Sequence, residues 1–153
     1  MKRIIAVLSL LLSLIQSVSA QVSVSCSSTA VSVKVKRCIA VGDDVFVDLV
    51  FTGTGKLSQM YISHNSEAYD DEGNKYLTRN IDIPFSIHFE SDSKQGLSGF
   101  WLDIPKDVPR KVRMRLLETD EYASCLSLVK LPCDGNDGSH FMITIKNLPI
   151  DRQ

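Results

Sequence analysis

Apolar and polar residues alternate with a period of two along most of this chain. Val31, Val33 and Val35 alternate with Ser32, Lys34 and Lys36, and Val45, Val47 and Leu49 keep the same rhythm into Phe51. The rhythm returns in Ile83 to Phe89, in Phe100, Leu102 and Ile104, and in Val112, Met114 and Leu116. Leu57 to Ser63, Cys125 to Leu131 and Phe141 to Ile145 complete the set. A period of two marks a strand with one buried face. Turn residues separate these runs: Gly42-Asp43-Asp44, Gly53-Thr54-Gly55 and Asp71-Glu72-Gly73-Asn74. The last predicts a hairpin between Tyr69 and Leu77, because Gly and Asn tolerate positive φ. Tyr69 and Tyr76 are expected to face each other across it. No segment after residue 20 sustains a helical period. Eight or nine turn-punctuated strands predict an all-β fold, an antiparallel β-sandwich.

The first twenty residues break the pattern. Met1-Lys2-Arg3 is a short basic start, Ile4 to Ile15 is apolar except for Ser9 and Ser13, and Val18-Ser19-Ala20 suits a cleavage site. This predicts a secretory signal peptide over residues 1–20, cut before Gln21. The mature domain is then residues 21–153, one domain by size. It is expected to be secreted, whether periplasmic, cell-surface or extracellular. Removing Lys2 and Arg3 from seventeen basic residues leaves fifteen against eighteen acidic, a formal charge of −3. That balance argues against nucleic-acid binding. No later apolar run approaches the length of a transmembrane segment. Cys26 follows Ser23-Val24-Ser25 and lacks the preceding Leu-Ala-Gly of a lipidated N-terminus.

Three stretches carry a resemblance. They are Val45-Phe46-Val47-Asp48-Leu49-Val50-Phe51, the hairpin Asp71-Glu72-Gly73-Asn74-Lys75-Tyr76, and Leu97-Ser98-Gly99-Phe100-Trp101-Leu102-Asp103-Ile104-Pro105. From about Gly42 to Leu117 the chain resembles the extracellular immunoglobulin-like, telokin-like domains of bacterial envelope proteins. The resemblance implies an antiparallel immunoglobulin-like β-sandwich at the cell surface or in the envelope, and no catalytic residues. The chain departs from it after Glu118, where about 35 residues predict extra C-terminal strands.

Four cysteines in a secreted chain predict two disulfides. Cys125 and Cys133 flank one strand run, whose eight residues span about 26 Å, whereas a bridge needs Cα atoms within about 7 Å. Cys26 and Cys38 flank another run. The expected bridges therefore join the two segments: Cys26–Cys133 with Cys38–Cys125 if they run antiparallel, Cys26–Cys125 with Cys38–Cys133 if parallel. No Cys-x-x-Cys or neighbouring His points to redox or metal chemistry.

His64, His88 and His140 form no ligand or catalytic pattern. Asp134, Asn136 and Asp137 supply hard oxygens in a glycine-containing loop and are the candidate calcium ligands, although turn chemistry alone explains them. No nucleophile elbow, phosphate-cradling loop or cofactor motif is present. The candidate ligand-binding residues lie on outward strand faces. With the valines inward, Lys34 and Lys36 point out, as do Arg113 and Arg115; this predicts a cationic sheet face for an anionic glycan or a protein. Phe100, Leu102 and Ile104 share one face of their strand, so Trp101 and Asp103 share the other. An outward Trp beside a carboxylate suits stacking on a sugar or anchoring a partner. These readings converge on a non-catalytic binding or interaction module, not an enzyme, with no cofactor. The alternative is an assembly subunit that pairs a strand edge with a partner.

Overall fold

The computed structural model describes residues 21–63, 65–77, 80–82 and 100–152. The signal-peptide segment 1–20, the run Ile83 to Phe89, His64 and His88 lie outside the described residues.

Twelve strands occur among the described residues: β1 (Ser23–Cys26), β2 (Val31–Val41), β3 (Asp44–Gly53), β4 (Gln59–Ile62), β5 (Glu67–Asp70), β6 (Lys75–Leu77), β7 (Asn80–Asp82), β8 (Phe100–Asp103), β9 (Pro109–Leu116), β10 (Cys125–Gly135), β11 (His140–Pro149) and β12 (Asp151–Arg152). They form two sheets. The larger runs β1-β11-β10-β4-β8, with β5 also on β10 and β6 on β5; the smaller runs β12-β2-β3-β9-β7. All pairings are antiparallel except the short β12–β2 contact. The architecture is an all-β sandwich, as expected. The C-terminal strands are not an appendage, however. β10 and β11 pair over most of their length at the centre of the larger sheet.

The alternation decides which side of each strand is buried. Along β3 every second residue from Val45 to Gly53 is buried, and Asp44, Phe46, Asp48, Val50 and Thr52 face outward, half-buried. Val112, Met114 and Leu116 on β9 meet Leu49, Val47 and Val45 in register. Together they form the smaller sheet's inner face. Leu131, Ile143 and Ile145 do the same for the larger sheet, and all three are fully buried. Dispersion and apolar burial across this seam hold the sheets together.

β4 and β5 share one edge of β10 in succession. β4 pairs with Cys133 to Gly135, and β5 pairs with Leu126 to Lys130. Between them Ser63 stays attached through its N–H to the Pro132 carbonyl, and Ser66 turns back on Ser63. The hairpin β5–β6 forms where Gly73 takes φ 91, but its register sets Tyr69 against Lys75 and Tyr76 against Ala68. The two tyrosines therefore do not oppose each other: Tyr76 is buried, and Tyr69 lies outward between two lysines.

The cysteines also differ from expectation. All four are free thiols. Cys26 and Cys38 do not flank one strand but belong to different sheets. Cys26 opposes Ile143, which opposes Leu131, while Cys133 opposes Phe141. One whole strand and a two-residue offset thus separate Cys26 from Cys133. That is about 10 Å across and about 6.6 Å along, beyond disulfide reach. Burial pushes the Cys38 thiol up to about 12, with Arg152 opposing and Cys125 adding to the rise. Burial likewise raises the Cys133 thiol. Burial thus disfavours the thiolate, the nucleophilic form, at both positions.

Candidate functional site

The outer face of the larger sheet carries a row of four side chains in register. Trp101 on β8 opposes Tyr61 on β4, Tyr61 opposes Asp134 on β10, and Asp134 opposes His140 on β11. The row exists because each residue occupies an outward strand position. Tyr61 lies between Met60 and Ile62, and Asp134 between Cys133 and Gly135. Trp101 precedes the buried Leu102, and its side chain is 54% exposed. The Tyr61 and Trp101 rings meet at 5.6 Å between centroids with planes tilted by 53°. This arrangement adds ring–ring attraction to area burial. At the other end His140 Nδ1 lies 2.6 Å from Asp134 Oδ1. Two residues along, Gln59 Nε2 donates to Asp103 Oδ1 at 2.7 Å. Aromatic faces at one end and side-chain donors and acceptors at the other thus share one open surface.

The far end of the same face is already satisfied internally. Glu67 reaches Lys75 at 2.6 Å and Lys130 at 3.4 Å. The Lys75 ammonium beside it holds the Glu67 carboxyl below its ordinary range. Both lysines flank the Tyr69 ring, at 5.5 and 6.0 Å.

The candidate calcium ligands diverge. Asp134 points outward to His140. Asn136 donates to Ser58 Oγ at 2.9 Å. Asp137 accepts the Ser139 N–H at 2.9 Å, and that contact, first through the Ser139 hydroxyl, holds its carboxyl low. These residues shape the β10–β11 turn. No group of three or more metal-ligating side chains comes together among the described residues.

On the outer face of the smaller sheet Arg113 and Arg115 point outward, as expected, and each is paired with an acid. Arg113 donates to both Asp48 oxygens, at 2.6 and 3.1 Å, and Arg115 donates to Asp44 at 2.8 and 2.5 Å. Arg37 approaches Asp48 from the other side. Arg113 is the chief cause of the lowered Asp48 carboxyl, with burial opposing and Arg37 assisting. Both Arg113 and Arg115 also lie 5.7 Å from the Phe46 ring. The two arginines therefore brace the sheet through these acids, with their side chains still 36% and 40% exposed. Lys34 and Lys36 are exposed on β2, as expected, and Lys111 is exposed on β9.

Alternation alone places Trp101 and Asp103 outward. It also places Tyr61, Gln59 and Lys111 outward, yet nothing local to those residues singles them out. His140 acquires meaning only from the β10–β11 register.

No family model and no curated protein matches this chain. Nine solved chains match its structure. One is a protein from Bordetella pertussis described as ApaA, 14% identical, with 84% of this chain and 94% of that chain covered at a TM-score of 0.37. Another is a target of the Northeast Structural Genomics Consortium, 11% identical, with 84% of each chain covered at a TM-score of 0.30. Similarity at this level carries no argument about function.

Proposed function

We propose that this protein is a non-catalytic binding module that takes a carbohydrate on the outer face of its larger sheet. The observation that carries this reading is the in-register row Trp101–Tyr61–Asp134–His140. A sugar ring offers an apolar C–H face to an aromatic side chain and hydroxyls to a carboxylate, an amide and an imidazole. The row offers both within one flat surface, and so fits an extended chain better than a small molecule held in a cleft.

A catalytic reading has less support. A depression of about 460 Å³ is lined by Lys56, Lys106, Asn136 and Asp137 among others. Its one carboxylate, Asp137, is held by Ser139. Acid–base hydrolysis of a glycoside would need a second carboxylate facing the first. Assembly by edge pairing also has less support. β12 covers the outer edge of β2 only at Ile39 and Ala40, but Lys34, Lys36 and the register shift before Arg37 blunt what remains. Secretion, inferred from the pattern of residues 1–20, and the resemblance to envelope domains belong to the same proposal.

Titration calorimetry against a panel of neutral oligosaccharides tests it. Trp101→Ala is expected to weaken binding about 30-fold, since an aromatic stacking platform contributes about 2 kcal/mol. The melting temperature should stay close to that of the parent, because Trp101 is more than half exposed. An unchanged affinity in Trp101→Ala, or a panel without any binder, would sink the proposal.

A further inference from the structure

We infer that the outer face of the smaller sheet is a second, independent docking surface, for a linear anionic polysaccharide held by lysines 34, 36 and 111. Cations on this face lie along two rails. Lys111, Arg113 and Arg115 project from β9, and Lys34, Lys36 and Arg37 from β2. β3 runs between them, and the register aligns Lys34 with Val50 and Lys111, and Arg37 with Asp48 and Arg113. The rails are about 10 Å apart, with successive outward groups about 6.6 Å apart along β9.

The acids on β3 divide the rails by function. Asp44 and Asp48 bind Arg115, Arg113 and Arg37. No ion pair engages Lys34, Lys36 or Lys111 among the described residues. Six cations thus face two acids. Counting Asp151, which β12 sets beside Ile39, still leaves an excess of three positive charges. Residues 21–153 as a whole carry −3, so this charge is a local segregation and not a reflection of composition.

The occupant follows from charge and shape. An anionic ligand complements the face, and a pair of rails beside an open strand suits an extended polymer. A lipid surface fits less well. The apolar side chains between the rails, Phe46, Val50 and Ile39, are half-buried within the sheet, and Val41, 58% exposed, stands at its end. Phe46 is also flanked by Arg113 and Arg115, so a single valine, without an aromatic or a second apolar group beside it between the rails, is too little to anchor the face in a bilayer.

Low-molecular-weight dextran sulfate, uncharged dextran and phosphatidylglycerol-containing vesicles are the probes, read by calorimetry at low and high salt. The protein is expected to bind dextran sulfate at low salt and lose it at high salt. Lys34→Gln/Lys111→Gln should weaken that binding about tenfold, the effect of removing two exposed charge contacts. Lys34→Arg/Lys111→Arg should retain it, and so should Trp101→Ala, which separates this surface from the carbohydrate row. Full affinity in the Gln variant, no binding to dextran sulfate at low salt, salt-insensitive binding, or a preference for the vesicles would each overturn the inference.

Discussion

Gly53→Ala is expected to lower stability by about 3 kcal/mol and the melting temperature by about 10 °C. Gly53 ends β3 at a crowded crossing. It pairs with Val31, forms a parallel bridge with Lys106, and accepts the Asp107 N–H at 3.0 Å. A methyl group there would collide with the Ile104 carbonyl oxygen and sit 3.1 Å from the carbonyl carbon. The obstacle is backbone, and it is pinned. Ile104 is fully buried, its N–H bonds the Ser58 carbonyl at 2.9 Å, and the two residues before it are paired to β4. Without the collision the sign would reverse, because alanine restricts the unfolded chain and gains about 0.4–1 kcal/mol at a compatible position. Gly53 does not adopt a positive φ, so backbone strain cannot account for the loss. Gly73 is the matched contrast. It has φ 91 and open space around its would-be Cβ. Gly73→Ala should therefore cost only about 1 kcal/mol, through strain alone. Thermal and denaturant unfolding by circular dichroism decides the matter. A Gly53→Ala melt at or above that of the parent would show that the crossing can open without cost.

The strands were legible where alternation was strong. Val45 to Phe51 and Val112 to Leu116 show their buried faces in the residues themselves, and β3 and β9 follow them. β1, β7 and β12 are two to four residues long and carry too few positions for a period to register. Their existence depends on neighbours: β12 on Ile39 and Ala40, β1 on β11. Trp101 and Asp103 could be read as outward from their own strand. What they stand beside could not, because Tyr61, Trp101, Asp134 and His140 meet only through three separate strand registers. The pairing of two of the expected cations was hidden for a related reason. Alternation says that Arg113 and Arg115 point out, but Asp48 and Asp44 oppose them from β3. Sheet order decides whether an outward charge is open or paired, and alternation within one strand carries no information about sheet order. The cysteines show the same limit. Cys26 and Cys38 flank one run of the sequence yet lie on strands of different sheets, and no bridge joins any of the four.

Asp70→Ala should cost about 3 kcal/mol at neutral pH, and this cost should shrink in acid. Asp70 is buried at the end of β5. Its carboxylate accepts the Tyr76 hydroxyl at 2.6 Å, the Asn74 N–H at 2.8 Å and the Asn74 side-chain amide at 3.0 Å. The same groups reach the following loop: the Asp120 N–H bonds Tyr76 Oη at 3.1 Å, and the Asn74 amide reaches Asp120 Oδ2 at 3.1 Å. Alanine leaves a buried hydroxyl and an amide without their acceptor, which is the expensive half of losing a hydrogen bond. It also unties the β5–β6 hairpin from the 119–125 loop. Burial alone would push the Asp70 carboxyl upward, but the Tyr76 and Asn74 donors outweigh it and hold the group below its ordinary value of 3.8. A depressed folded-state value stabilises the protein fully above about pH 4, and the contribution disappears as pH falls through that value. Asp48 and Asp71 are lowered too, so parent and variant both weaken in acid. The difference between them isolates Asp70. Urea unfolding of both proteins at pH 7 and pH 3 should show the gap narrowing at the lower pH. A gap that is constant or wider at pH 3 would mean that the carboxylate is not the acceptor holding this hairpin. Tyr76→Phe removes the donor from the other side. It should destabilise less than Asp70→Ala, because Asn74 still satisfies the carboxylate while the Asp120 N–H alone loses its acceptor.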